Sequence, residues 1–158
     1  MADENNQPTK LQAIGSAEIL ELLPHRDPFL MVDALEEMDG EARCVGIKKV
    51  REDEYWIPGH FPDWPVMPGV LIVECMAQTA AALVSHNRKG EIDVGVVYFM
   101  AVDKCRFRQP VTPGDTLRLE VEQIRRKGPV WKYQGTARVG DKVVAEAEFT
   151  AMNYMPEA

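Results

Sequence analysis

The segment Val70–Val84 constrains the fold more than any other part of the chain. It is apolar nearly all round a helix, as expected of a helix enclosed by other structure. At about 22 Å it is short for a membrane span, which needs about 20 predominantly apolar residues, and it contains Glu74 and Gln78. It therefore reads as the buried helix of a soluble protein. The helix continues to about Lys89, where Asn87, Arg88 and Lys89 suit the C-terminal dipole and Gly90 suits the C′ position. After Gly90 the period changes. IDVGVVYFM, KCRFRQ, TLRLEVEQIRR, VWKYQGTARV and KVVAEAEFTAMNY are rich in β-formers, with KGPV and GDKV as hairpin signals. One buried helix and several long antiparallel strands make an α+β plan in which the sheet wraps the helix. A single helix leaves one sheet face open, so at least a dimer is expected.

Residues 1–15 read as a flexible tail and 16–158 as one domain, a length ordinary for a single domain. Ser16 is a candidate N-cap for a short helix through AEILELL, stopped by Pro24. PHRDP is a stiff turn, and residues 41–50 alternate well enough to form a strand. Lys and Arg total 18 against 25 Asp and Glu, a net charge of −7 that argues against a general nucleic-acid coat. An acidic partner must use a local basic patch. Lys104, Arg106 and Arg108 alternate along one strand, and Arg125, Arg126 and Lys127 cluster near a hairpin. Cys44, Cys75 and Cys105 are odd in number and widely spaced, which gives no disulfide or metal framework and fits a reducing cytoplasm. The polar, acidic start MADENNQPTK does not read as a secretory signal.

Glu74 is the leading chemical clue. A carboxylate inside an apolar helix costs several kcal/mol unless paired or kept neutral, and Gln78 lies four residues on, on the same face. A register-fixing polar pair and a catalytic acid are both open readings at this point. His60 sits in Pro58–Gly69, a stiff loop with four prolines and two glycines in twelve residues, which feeds directly into the helix. Imidazole is the commonest general base, so His60 and Glu74 form a candidate base–acid pair, one that could meet across a subunit boundary. Gly69 opens the helix, where unpaired N–H groups and the dipole can polarise a carbonyl. His25 and Arg26 read as a structural turn whose Arg holds a carboxylate or carbonyls, and His86 as a helix-end residue. Trp56, Trp64, Tyr98 and Phe99 are candidates to line an apolar pocket, core packing being the default for each.

At these residues the sequence closely resembles the 3-hydroxyacyl-[acyl-carrier-protein] dehydratases of the FabZ type. The matching stretches are LLPHRDPFLMVD, GHFPDWPVMPGVLIVECMAQ, VDKCRFRQPVTPGD and WKYQGTARVGDKVVAEAEF, in order from about Leu22 to Phe149. The resemblance implies a hot-dog fold with the long helix as its core. It implies a homodimer whose sites each take His60 from one subunit and Glu74 from the other, and assembly as a trimer of dimers. It places Gly69 N–H on the thioester carbonyl and Tyr98 at the gate of the acyl tunnel; Gln78, which can orient Glu74 or a water, and Phe99 are the other candidate substrate-binding residues. Asp63–Trp64 and Ala101 depart from the family pattern and bear on the shape of that tunnel. The related FabA type carries Asp at the helix position, so Glu74 points to a dehydratase without isomerase activity.

The reaction so implied is loss of water from a (3R)-hydroxyacyl thioester, giving the trans-2-enoyl thioester in type II fatty acid biosynthesis. His60 removes the α-proton, Gly69 polarises the carbonyl, and Glu74, kept protonated by apolar surroundings, donates to the leaving hydroxyl. No metal or redox cofactor is required. The partner is an acyl carrier protein, with no nucleic acid and no integral membrane contact. The competing readings are a hot-dog thioesterase, which would release free thiol, and a non-catalytic acyl-binding module.

Overall fold

Helix α2 (Gly69–Asn87) is the axis of the molecule, and the computed structural model shows why a sheet can close around it. Residues 11–91, 95–155 and 157 are described. In chain order the other elements are β1 (Gln12–Ile14), α1 (Ser16–Leu22), β2 (Ala34–Asp39), β3 (Arg43–Lys49), β4 (Val96–Phe107), β5 (Thr116–Lys127), β6 (Val130–Val139) and β7 (Lys142–Tyr154). The strands form one antiparallel sheet in the order β1-β2-β3-β5-β6-β7-β4. This is the expected α+β hot-dog arrangement.

Small residues let the helix lie deep in the curved sheet. Ala77, Ala80, Ala81 and Ala82 are buried on α2. Opposite them, a Cβ at Gly46 on β3 would overlap Thr79, and one at Gly135 on β6 would overlap Met76. The Thr79 hydroxyl donates to Cys75 O at 2.8 Å, so no polar atom is stranded at the closest approach. Larger rings fill the rest: Trp131, Tyr133 and Phe149 are almost fully buried, with Tyr133 and Phe149 stacked at 6.4 Å. Helix α2 is long and apolar enough to suit a bilayer, but it is the core helix here, with its middle and C-terminal turns covered by protein.

Several expectations are corrected. Part of the supposed tail is strand: Gln12 and Ile14 pair with Met38 and Leu35 on β2, so order begins before residue 16. Residues 1–10 of that tail lie outside the described residues, as do 92–94 of the IDVGVVYFM segment. Ser16 is the first helical residue instead of the cap; Gly15 holds the N-cap position without a side-chain bond. Helix α2 ends at Asn87 with Arg88 as its C-cap, so Gly90, at φ +83°, lies past the C′ position. Bulges interrupt β4 between Asp103 and Arg106, which breaks the strict alternation of its cations. Lys104 and Arg108 pair with Glu148 and Glu146 on β7, while Arg106 has no carboxylate partner among the described residues.

Strand β4 forms one edge of the sheet. It pairs with β7 on one side only and is exposed along most of its length, Tyr98, Phe99, Met100, Val102 and Phe107 included. A long apolar edge strand is a ready template for pairing with another chain.

Candidate active site

The His60 side is built by its own loop. Turn bonds run from Gly59 N to Trp56 O, from Val66 N to His60 O at 2.9 Å, and reciprocally between Phe61 and Trp64. Met67 N donates to Val111 O at 2.8 Å and ties the loop to the segment after β4. The His60 ring stacks on Phe61 with centroids 4.2 Å apart. Its Nδ1 lies 2.6 Å from Val66 O. A carbonyl only accepts, so Nδ1 carries the hydrogen, and in the neutral ring Nε2 is the nitrogen with the lone pair, the form a general base requires. The same carbonyl would stabilise the imidazolium formed if Nε2 took a proton.

His60 opens onto a groove of about 550 Å³ whose walls include Val66, Gly69, Val70, Ile72 and Phe107. Gly69 is the first residue of α2, so its N–H is one of the amides without an intrahelical acceptor. A Cβ on Gly69 would come within 2.7 Å of the Phe107 ring, which explains a glycine at this place. His60 and the helix tip thus line one groove. Phe107 belongs to the same wall and was not anticipated; its only sequence signal was its place in the KCRFRQ segment.

Glu74 stands elsewhere. Five residues past Gly69, it is turned by about 140° around the helix axis and raised by about 7.5 Å. Its Oε1 accepts a hydrogen bond from Gln78 Nε2 at 3.1 Å. Gln78 also donates to Phe29 O at 2.9 Å, and its Oε1 accepts from Met31 N at 2.9 Å. Glu74 is therefore fixed by a residue sewn to the segment before β2. Next to it His25 Nε2 lies 3.6 Å from Glu74 Oε1, with both side chains mostly buried. The sequence reading gave His25 a turn role and missed this contact. Arg26 does hold carbonyls, those of Leu20, Leu23 and His25. Cys75, beside Glu74, is fully buried, and burial pushes its thiol well above the usual range, so it is packing and not a nucleophile.

One chain does not bring His60 and Glu74 into contact: no ion pair within 4.0 Å joins them, and Glu74 is not in the groove wall. Tyr98 and Phe99 are likewise remote from the groove, roughly 25–30 Å along β4 from Phe107. Tyr98 packs against Tyr154 and Phe99 against Phe149. Trp56 is core, and Trp64 is 77% exposed.

Comparison with known proteins places the chain in a family. Residues 23–148 match the model of the FabA-like domain. A 3-hydroxyacyl-[acyl-carrier-protein] dehydratase FabZ of Rhodospirillum rubrum is 54% identical over 139 residues, covering 88% of this chain and 87% of that one. The chain belongs to the FabZ family. The FabZ of Anaeromyxobacter dehalogenans is 49% identical over 153 residues, 96% of both chains. Among solved structures, the dehydratase heterocomplex ApeI:P of Xenorhabdus doucetiae superposes with a TM-score of 0.77 at 17% identity, over 86% of this chain and 90% of that one. A hypothetical thioesterase of Streptococcus pneumoniae bound to coenzyme A reaches 0.56 at 13% identity, over 78% of this chain and 87% of that one. At such identities the likeness concerns the fold. The FabZ family resemblance of the sequence is thus established, and so is its hot-dog fold.

Proposed function

We propose that His60 of one copy and Glu74 of a second copy form the acid–base pair of a hydro-lyase. The chain dehydrates 3-hydroxyacyl-[acyl-carrier-protein] to the trans-2-enoyl thioester in fatty acid biosynthesis; what remains to be assigned is which residues do the work. The thioester carbonyl accepts from Gly69 N–H, where the positive end of α2 stabilises charge developing on oxygen. His60 Nε2 takes the α-proton. The C–H electrons become the Cα=Cβ bond, the C–O bond to the 3-hydroxyl breaks, and Glu74 gives its proton to that oxygen so that water leaves. His60 is left as imidazolium and Glu74 as carboxylate, and one proton returned from the former to the latter through solvent resets the site.

The observation that carries this assignment is the 2.6 Å contact of His60 Nδ1 with Val66 O, which in the neutral ring leaves the Nε2 lone pair free beside the groove that also contains the Gly69 helix start. Convergence across two copies is supported by the opposed placement of Glu74 on α2 and by the exposed apolar edge of β4. The homodimer is then the catalytic unit, and a trimer of dimers the assembly that the family resemblance implies. Tyr98 and Phe99 on that edge line the acyl tunnel of the assembled site. Three free cysteines support a cytoplasmic setting. The test is incubation with a 3-hydroxyacyl carrier-protein thioester. Enoyl absorbance should rise with the thioester intact; free thiol without enoyl product would mean a thioesterase, and binding without turnover a passive module.

A further inference from the structure

We infer that His25 is a positioning residue for Glu74, a second N–H that faces the carboxyl oxygen already bonded by Gln78 and closes on it as the proton leaves. This rests on Glu74 being the general acid. Gln78 supplies the first donor, and its amide cannot be flipped. Met31 N–H needs an acceptor, so Gln78 Oε1 faces it and Nε2 spends its hydrogens on Phe29 O and Glu74 Oε1. His25 Nε2 faces the same Oε1 at 3.6 Å, beyond hydrogen-bond length but within ion-pair reach. Against that acceptor Nε2 carries the hydrogen. Nδ1, buried without a partner, is then a bare lone pair instead of a stranded donor. The Gln78 bond occupies Oε1 and His25 Nε2 faces the same oxygen from 3.6 Å, which leaves Oε2 for the acidic proton and the substrate hydroxyl.

The 3.6 Å gap gives this contact its catalytic sense. While Glu74 is protonated, Oε1 is a weak acceptor and the pair is loose. As the proton leaves, the carboxylate gains full charge and His25 can close to a charge-assisted bond of about 2.8 Å. An interaction that strengthens as the reaction proceeds acts on kcat and leaves KM nearly alone. The backbone beneath His25 is held for this: Arg26 bonds the carbonyls of Leu20, Leu23 and His25, while Phe29 N and Leu30 N bond Arg26 O. A ring kept only for packing would gain nothing from a nitrogen aimed at Glu74 and another buried unpaired.

Steady-state kinetics on the full chain with a 3-hydroxyacyl carrier-protein thioester tests the inference. His25→Phe should lower kcat roughly 10- to 100-fold with KM changed less than about twofold. His25→Gln, whose amide nitrogen reaches the place of Nε2, should recover most of the rate. His25→Asn, whose amide sits at the place of Nδ1, should not. Thermal melting checks that each variant folds, and if the Phe variant does not, the Gln–Asn pair carries the test. Equal rates for Gln and Asn, an unchanged kcat, or a loss confined to KM would overturn the role of His25. Glu74→Gln is run alongside: if it turns over normally, the general-acid reading falls and His25 with it, whereas an inactive Glu74→Gln beside a normal His25→Phe removes His25 alone.

Discussion

The two halves of the site are held in opposite ways. His60 is set by bonds that begin and end within a few residues, its ring fixed by Val66 O six positions away. Glu74 is set by Gln78, whose partners Phe29 and Met31 lie 49 and 47 positions off. The proposed base is thus set by one stiff loop, tied at Met67 to Val111, and the proposed acid by the packing of distant segments. A local setting tolerates loosening elsewhere in the fold; a long-range one does not.

The largest effects should come from the proposed acid–base pair. His60→Ala and Glu74→Gln should each lose on the order of 10²–10⁴ in kcat, with melting temperatures close to the parent. Near-normal turnover by either variant would remove that residue from the pair. Gln78→Leu comes next and separates the halves. It strands the buried Met31 N–H and frees Glu74, so unfolding in urea should show a loss of roughly 2–4 kcal/mol together with a fall in kcat. A loss of either without the other would break the coupling drawn between the acid and the long-range packing.

At the helix tip, two variants divide space from hydrogen bonding. Gly69→Ala crowds Phe107, which is 52% exposed and can swing aside, so stability should hold while kcat/KM falls about tenfold. Gly69→Pro suits a first helical position, adds the same crowding and removes the N–H, so it should fall a further 10²-fold or about that. Equal kinetics for the two would show that the amide does not hold the carbonyl. A smaller effect should be at Arg106, next to the groove residue Phe107 and without a carboxylate partner among the described residues. Arg106→Glu should raise KM for a carrier-protein substrate several-fold by reversing its attraction for an acidic partner, and spare a small thioester surrogate. Arg126 is tied to Glu41 and Gly128 and should matter less.

Much of this was readable before any coordinates. The apolar run around Glu74 marks a buried helix with a carboxyl in need of a partner, and Gln78 at i+4 is that partner. The prolines of Pro58–Gly69 mark a loop stiff enough to orient His60. Hairpin glycines declare themselves too: Gly128 and Gly140 have φ near +59° and +58°. Strand β2, ALEEMD, was missed because it has no alternation; it is held as a strand by pairing with β1 and β3 on either side. The His25–Glu74 contact was hidden for a similar reason. Those residues meet only because α1 and the turn after it fold back over α2, and no periodicity encodes that meeting.

Mixing two dead variants probes the shared site most directly. His60→Ala and Glu74→Gln chains, unfolded together and refolded at equal amounts, should regain about a quarter of parental activity, because half the dimers are mixed and each mixed dimer has one intact pair. If refolded mixtures form mixed dimers yet stay as inactive as the separate variants, His60 and Glu74 do not meet across the subunit boundary.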